Sequence, residues 1–299
     1  MKVGTATAVF EGINAYSGTL KKTFKISAYD VQMNPTGKLV IDSQTAYPYM
    51  KGGSTPKPVI KFDGKTLTEG TDYTLSYKNH TAAGNYAVMT IKGKGNFAGS
   101  TQAGFTVERQ DIAELTVSPV DKVYQAKANI YKTTVRVYDT NGKQLSAGKD
   151  YDKNVTYAYT ATVNLGNGTV RRKGDAIENT DILPVGTRIQ VTVNAVGSNY
   201  EGTATGTYTI TRADISKAKV TVPDQTYSGK AIELKESEIS VIMNGMVLSP
   251  ENYKITGYTN NVNKGTAKLT IQGQGENYGG TKTVTFKIKG KSLLSQLFS

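Results

Sequence analysis

Residues 275–288 read GENYGGTKTVTFKI, and near copies of this stretch occur at three earlier places in the chain. The earlier copies are NAYSGTLKKTFKI (14–26), GNFAGSTQAGFTV (95–107) and SNYEGTATGTYTI (198–210). In every copy an aromatic residue is followed two positions later by Gly and eight positions later by a second aromatic residue. These residues are Tyr16, Phe97, Tyr200 and Tyr278, then Gly18, Gly99, Gly202 and Gly280, then Phe24, Phe105, Tyr208 and Phe286. Such self-similarity indicates a repeat architecture, so each repeated residue is interpreted first as part of the repeating fold.

A second landmark precedes the repeated tail in the three full copies. It reads FDGKTL (62–67), TNGKQL (140–145) and MNGMVL (243–248). Asp-Gly and Asn-Gly favour the left-handed conformations of a two-residue β-hairpin turn. The segments AVMTIKG (87–93), IQVTVNA (189–195) and AKLTIQG (267–273) alternate apolar and polar residues, which predicts strands with one buried face.

These patterns predict an all-β chain of tandem immunoglobulin-like β-sandwich domains in an elongated array. Short strands separated by frequent turn signals, with copies roughly 80 to 100 residues apart, are typical of such sandwiches. The two repeated aromatic rings should be buried on one face of the last hairpin of each sandwich. The repeated Gly should supply a turn conformation that other residues resist.

The repeat divides the chain into five segments. Residues 1–27 hold only the C-terminal strand pair of a truncated repeat, and residues 291–299 form a C-terminal tail with Leu293, Leu294, Leu297 and Phe298 on one helical face. Residues 28–109, 110–212 and 213–290 are each predicted to form one immunoglobulin-like domain and are called the first, middle and third repeats. Because two unpartnered strands leave exposed edges, the chain is interpreted as a fragment of a larger protein; alternatively, the hairpin packs against the first repeat or another copy.

The stretches GKTLTEGTDYTLSYKN (64–79), GNYAVMTIKGKGNFAGS (84–100) and GGTKTVTFKI (279–288) resemble the bacterial immunoglobulin-like repeats found in tandem in surface proteins of Gram-positive bacteria. The resemblance covers nearly the whole chain and is strongest in the first and third repeats. It implies a β-sandwich array outside the cell that serves as a stalk or adhesive module. It brings no catalytic residues with it.

Composition excludes several classes of site. The 299 residues include no Cys and one His, His80, so disulfides, thiolate metal sites and cysteine nucleophiles are excluded, and the lone His is interpreted as a surface polar residue. VYDTNGKQL (137–145) begins like a calcium loop but lacks the later ligands, so it is predicted to be a hairpin. Most acidic residues lie at turns, where a glycosidase-type carboxylate pair is not expected. The sequence therefore predicts no enzyme activity, catalytic residue, metal or cofactor.

The net charge of +12 favours anionic partners in general. The basic residues are scattered singly through the hairpins, which indicates a solvated surface and no specific nucleic-acid site. Arg171, Arg172 and Lys173 form the only compact basic cluster in the sequence. No stretch of the sequence is long and apolar enough to predict a transmembrane segment.

The middle repeat departs from the template through an insertion at about 154–184, some two dozen residues long. Loops on a rigid sandwich tolerate added length and often carry binding residues. Asn167-Gly168 predicts an added hairpin, beside which Arg171 and Arg172 could hold a carboxylate or sulfate through paired hydrogen bonds. The alternative is a neutral decoration of the fold.

Planar tyrosine rings could stack on sugars, but Tyr73, Tyr151, Tyr253, Tyr200 and Tyr278 recur with the repeat and are predicted to be core residues. Tyr157 and Tyr159 in the insertion, and Tyr47 and Tyr49 elsewhere, do not follow the repeat and are predicted to be exposed. The predicted ligand-binding residues are therefore Tyr157, Tyr159, Arg171, Arg172 and Lys173.

The function predicted from the sequence is a non-catalytic, extracellular cell-surface stalk or adhesin segment. It would space and present binding regions and would contact a host surface protein, a glycan or a cell-wall polymer through the middle repeat. Two alternatives remain open: a carbohydrate-binding accessory segment of a secreted enzyme, and a phage virion decoration protein.

Overall fold

The computed structural model describes residues 2–290, so the predicted tail at 291–299 lies outside the described residues. Strands dominate this part of the chain, and its other regular elements are 3₁₀ turns at Ile112–Glu114, Ile215–Lys217, Glu236–Glu238 and Pro250–Asn252. The prediction of an all-β chain built on immunoglobulin-like sandwiches is confirmed.

The chain begins with an isolated β-hairpin. Strands β1 (Gly4–Glu11) and β2 (Thr19–Ile26) pair antiparallel along their full length, from Gly4 opposite Ile26 to Glu11 opposite Thr19. Within residues 2–290 this sheet has only these two strands.

The first repeat builds a four-stranded sheet in the order β5-β11-β9-β8 and a three-stranded sheet in the order β4-β6-β7. A short parallel pair, β3-β10, joins the start of the repeat to its tail motif. The strands are β3 (Tyr29–Asp30), β4 (Leu39–Asp42), β5 (Ala46–Pro48), β6 (Val59–Phe62), β7 (Lys65–Thr66), β8 (Tyr73–Lys78), β9 (Tyr86–Gly93), β10 (Phe97–Ala98) and β11 (Ser100–Glu108).

The middle repeat has the corresponding sheet β14-β21-β19-β16, with the pairs β13-β15, β12-β20 and β17-β18. Its strands are β12 (Gln110–Asp111), β13 (Thr116–Pro119), β14 (Lys122–Val123), β15 (Val135–Tyr138), β16 (Thr156–Tyr159), β17 (Val163–Asn164), β18 (Val170–Arg171), β19 (Arg188–Asn194), β20 (Tyr200–Glu201) and β21 (Thr203–Thr211).

The third repeat has sheets β24-β30-β28-β27 and β23-β25-β26 and the parallel pair β22-β29. Its strands are β22 (Ala213–Asp214), β23 (Lys219–Thr221), β24 (Gln225–Thr226), β25 (Ser240–Met243), β26 (Met246–Val247), β27 (Tyr253–Thr259), β28 (Gly265–Gly273), β29 (Tyr278–Gly279) and β30 (Thr281–Lys289).

The predicted turns are present. Asp63-Gly64 and Asn244-Gly245 form two-residue hairpins with positive φ at all four residues. The Asp139 carboxylate accepts hydrogen bonds from the Asn141 and Lys143 N–H groups, so this loop closes as a hairpin.

The repeated aromatic residues close the interior of three of the four copies. Phe97, Phe105, Tyr200, Tyr208, Tyr278 and Phe286 are all buried, and so are the predicted core tyrosines Tyr73, Tyr151 and Tyr253. In the N-terminal hairpin, by contrast, Tyr16 is 80% and Phe24 is 52% exposed. The prediction that the ring pair is buried is therefore confirmed in the three full repeats and wrong in the N-terminal hairpin, where no second sheet within residues 2–290 covers the two rings.

The described chain groups into two compact units. One contains the residues up to Thr116 together with 137–154 and 193–204, and the other contains 117–136, 155–192 and the residues from 205 onward. The middle repeat contributes residues to both units, and the domain boundaries at 28, 110 and 213 stay a prediction.

Candidate functional site

The insertion of the middle repeat is folded onto the sandwich. Strands β17 and β18 form the predicted hairpin, with Val163 opposite Arg171, and Leu165, Ile177 and Leu183 are buried. Because the insertion contributes buried apolar side chains of its own, it extends the core of the middle repeat and is not a free loop.

A buried carboxylate organises this insertion. Asp181 accepts hydrogen bonds from the Tyr159 hydroxyl at 2.8 Å and from the Glu178 N–H at 3.0 Å. The Arg171 guanidinium pairs with the same carboxylate, with Nη2 at 2.7 Å from Oδ1 and Nε at 3.2 Å from both oxygens. The predicted carboxylate-binding chemistry of Arg171 is therefore present, but its partner is a side chain of the same insertion.

The electrostatics of this cluster favour the ionised carboxylate. Burial alone would raise the pKa of Asp181, but the hydrogen bonds from Arg171, the Glu178 N–H and Tyr159 outweigh it and hold the pKa below its usual value. Burial and the Asp181 carboxylate raise the pKa of Tyr159. Tyr159 is thus a neutral hydroxyl donor to a charged acceptor over the physiological range.

The expectation that the insertion tyrosines are exposed is wrong. Tyr159 is only 1% exposed, because its ring packs in the core beneath Asp181. Tyr157 is half-buried, with its ring centroid 5.2 Å from that of Tyr131 and 6.5 Å from that of Tyr208. The buried Tyr159 ring therefore offers no face for stacking on a sugar. Tyr49, also predicted to be exposed, is buried, and Tyr47 is half-buried.

Arg172 and Lys173 are exposed. Arg172 lies in a turn whose backbone N–H donates to Asp175 at 2.7 Å. Lys173 lines a surface cavity of 390 Å³ together with Arg188, Thr160, Gln190 and Thr207. The predicted cluster therefore divides into a structural Arg171 and a solvent-facing Lys173 that lines the same groove as Arg188.

A second constellation, which sequence reasoning missed, joins the first repeat to the middle one. The rings of Tyr49 and Tyr200 meet edge to face, with centroids 5.2 Å apart. The Ala83 N–H donates to Asn199 Oδ1 at 2.9 Å. The Arg109 guanidinium, at the end of the first repeat, donates to the Tyr200 carbonyl in the tail motif of the middle repeat.

An ion pair reinforces this contact. Lys51 Nζ pairs with Oδ2 of the buried Asp150, and the Lys51 N–H donates to the buried Asp139 at 3.3 Å. The Ser146 N–H also donates to Asp150, at 2.7 Å. A buried carboxylate whose hydrogen bonds come from two repeats fixes their relative position, because separating them would leave it unpaired.

The contact between the middle and third repeats uses the same parts. The rings of Tyr124 and Tyr278 meet edge to face at 5.7 Å, and the Val185 N–H lies 3.5 Å from Asn277 Oδ1. Arg212 Nη2 donates to the Tyr278 carbonyl at 2.7 Å, and Lys127 Nζ donates to the Asn244 carbonyl at 2.9 Å. This recurring arrangement of tyrosine, asparagine and arginine is called the joint.

The joint has a signal in the sequence. Asn directly precedes the first aromatic residue of the tail motif at 96, 199 and 277, and Arg stands two residues before an Asp at 109 and 212. Tyr49 and Tyr124 share no local sequence pattern, because the residues that flank them differ.

Among residues 2–290, no cluster of three or more His, Cys, Asp or Glu side chains is arranged to hold a metal ion. The same residues contain no helix long and apolar enough to cross a membrane.

No protein-family model matches this chain, and no curated protein sequence matches it. Solved structures of repeat proteins are similar to it at low identity. A variant of three consecutive titin immunoglobulin domains is 12% identical, with 85% of this chain and 98% of that chain covered and a TM-score of 0.21. Four extracellular cadherin domains of protocadherin gamma B7 are 10% identical, with 92% and 80% covered and a TM-score of 0.18. Domains 4–9 of the surface layer protein SbsC are 17% identical, with 95% and 54% covered and a TM-score of 0.20.

Proposed function

We propose that this chain is a non-catalytic spacer of the extracellular surface, whose repeats are held in fixed relation so that binding regions are presented at a distance. The observation that carries the proposal is the joint, which occurs twice with the same tyrosine pair, asparagine acceptor and linker arginine. A short linker secured at both ends leaves little freedom between neighbouring domains, whereas domains with small polar contacts usually move.

The surface location can be tested on cells that produce the protein. Brief trypsin treatment of intact cells should release peptides from the exposed Lys-rich hairpins, because the proposed location places them outside the cell. Peptides that appear only after lysis would contradict an extracellular position.

A contact with an anionic glycan or cell-wall polymer is the second candidate function. It is favoured by the 390 Å³ groove whose lining includes Lys173, Arg188, Thr160 and Gln190. Lys and Arg side chains form strong, charge-assisted hydrogen bonds with sulfate, phosphate or carboxylate groups. Tyrosine stacking is not available there, because the Tyr159 ring is buried.

The groove can be tested with an array of sulfated and carboxylated glycans and teichoic acids. Lys173→Ala should abolish specific binding, while the matched change Arg172→Ala, outside the groove, should leave it intact. Equal loss in both variants would indicate non-specific attraction by the net charge.

A further inference from the structure

The first strands of each repeat pair in parallel with its last strands. At the start of the repeats, β3, β12 and β22 pair with β10, β20 and β29. Farther along, β5, β14 and β24 pair with β11, β21 and β30, and these three pairs are called the terminal strand pairs. One backbone hydrogen bond recurs in them at 2.8, 2.8 and 2.7 Å, from the N–H groups of Tyr49, Tyr124 and Tyr227 to the carbonyls of Glu108, Thr211 and Lys289. The beginning of each repeat is thus bonded directly to its end.

Almost no free chain separates one repeat from the next. Arg109 is the single residue between β11 and β12, and Arg212 is the single residue between β21 and β22. Each guanidinium donates to a carbonyl of the following tail motif, that of Tyr200 or Tyr278. Tension along the chain therefore passes from the last strand of one repeat straight to the first strand of the next.

The direction of the strands decides how such tension acts on the hydrogen bonds. In a terminal strand pair, one strand is pulled toward its beginning and the other toward its end. Because the two strands are parallel, tension slides them past each other, and all bonds between them have to break together. The N-terminal hairpin has the opposite geometry, since Gly4 lies opposite Ile26 and its bonds would open one after another. The terminal strand pairs therefore resist stretching better than a hairpin of equal length.

Two of the terminal strand pairs carry an additional side-chain bond. Asp121 Oδ1 accepts from the Thr209 N–H at 2.8 Å, and Asp224 Oδ1 accepts from the Lys287 N–H at 3.3 Å. In the first repeat the Thr106 N–H, at the equivalent position, donates to a backbone carbonyl instead. Strands β14 and β24 have two residues each, against three in β5. Each carboxylate therefore adds a charge-assisted hydrogen bond where the terminal strand is shortest.

We propose that this chain bears tension along its length, with the terminal strand pairs as its load-bearing elements and Asp121 and Asp224 as latches on the two shorter pairs. The terminal strand pairs keep the repeats folded, and so keep their length fixed, while the chain is pulled. The proposal rests on the spacer function, because a segment that holds binding regions away from a surface is stretched whenever those regions are held.

The test is a force-ramp measurement on the full chain, held in optical tweezers by tags at its two ends. Asp121→Ala should raise the rate of one unfolding step at a given force about tenfold, the factor expected when one hydrogen bond to a charged group is lost before the barrier. Asp224→Ala should accelerate a different step. Asp121→Asn keeps an oxygen acceptor for the Thr209 N–H and should restore most of the original rate.

Asp152→Ala is the matched control. Asp152 Oδ1 also accepts one backbone N–H at 2.8 Å, from Asn154, but it lies outside the terminal strand pairs. This variant should leave every unfolding step within about twofold of the unchanged chain, although its melting temperature should fall about as much as that of Asp121→Ala.

Two results would overturn the proposal. One is equal acceleration by Asp121→Ala and Asp152→Ala, and the other is a folded Asp121→Ala chain in which no step is accelerated. The spacer function is tested separately, by the distance between repeats in the relaxed chain, so repeats that are fixed in position but yield easily to force would refute the load-bearing role alone.

Discussion

Asp30 and Gly99 lie so close together that a Cβ atom at residue 99 would be 2.6 Å from Asp30 Oδ1. Asp111 with Gly202 and Asp214 with Gly280 repeat this relationship. Each Asp caps the backbone after the start of a repeat, as Asp30 does for the Gln32 N–H at 2.9 Å. Two independent constraints therefore require Gly at this repeated position. Its φ is positive, and the Asp carboxylate leaves no room for a Cβ atom.

The first prediction concerns this packing. Gly99→Ala should destabilise the first repeat by about 2 to 3 kcal/mol, because a left-handed alanine costs about 1 to 2 kcal/mol and displacement of the Asp30 cap adds about 1 kcal/mol. Gly64→Ala, at a similar φ but in open space, should lose only the backbone part. Hydrogen exchange of the Ile91 and Phe105 amides measures both. Equal losses would show that Asp30 does not restrict residue 99.

The second prediction concerns the insertion. Arg171→Met should destabilise the middle repeat by about 3 kcal/mol, because it leaves the buried Asp181 carboxylate without its counter-charge. Arg172→Met, at the exposed neighbour, should change stability by less than about 0.5 kcal/mol. Exchange of the Ile189 amide compares them, and similar values for both variants would contradict a structural role for Arg171.

The sequence was sufficient for the repeat because each copy obeys the same local rules. Alternation placed Ala87, Met89 and Ile91 in the core, and the Gly-containing dipeptides placed the hairpin turns. Because these patterns depend only on neighbouring residues, they can be recognised without knowledge of tertiary packing.

The site residues were harder to predict because their environment is not local. Tyr159 is predicted to be exposed because it has no counterpart in the other repeats. Asp181, 22 residues later in the chain, accepts the hydrogen bond that allows the Tyr159 hydroxyl to be buried. Tyr49 is buried by a residue of the next repeat, Tyr200, which no spacing rule within one repeat reveals.

The third prediction is a pH dependence. The folded state lowers the pKa of Asp181, so its stabilising contribution is complete above the unfolded pKa of about 3.9 and is lost as the pH falls through the lower folded value. The difference in melting temperature between the unchanged chain and Asp181→Asn should therefore shrink as the pH falls below about 4. A difference that stays constant from neutral to strongly acidic pH would contradict the shifted pKa.

The fourth prediction concerns the ion pair of the joint. Lys51→Met should cost about 3 kcal/mol, because the Asp150 carboxylate it leaves behind is buried. Lys57→Met removes the exposed pair with Glu69 and should cost at most about 1 kcal/mol. Chemical denaturation followed through exchange of the Ser146 amide distinguishes the two. A larger loss of stability in Lys57→Met than in Lys51→Met would contradict the assignment of Lys51–Asp150 as the stabilising ion pair.

Fixed geometry between neighbouring repeats is the central claim, and a distance distribution tests it most directly. The chain contains no Cys, so spin labels attach only at the introduced residues of Ser76→Cys in the first repeat and Lys153→Cys in the middle repeat. Pulsed electron paramagnetic resonance then reports the distance between the two labels. A single narrow distribution that broadens when Tyr49→Ala is added is the expected result. A broad distribution in the labelled chain with Tyr49 intact would contradict the claim.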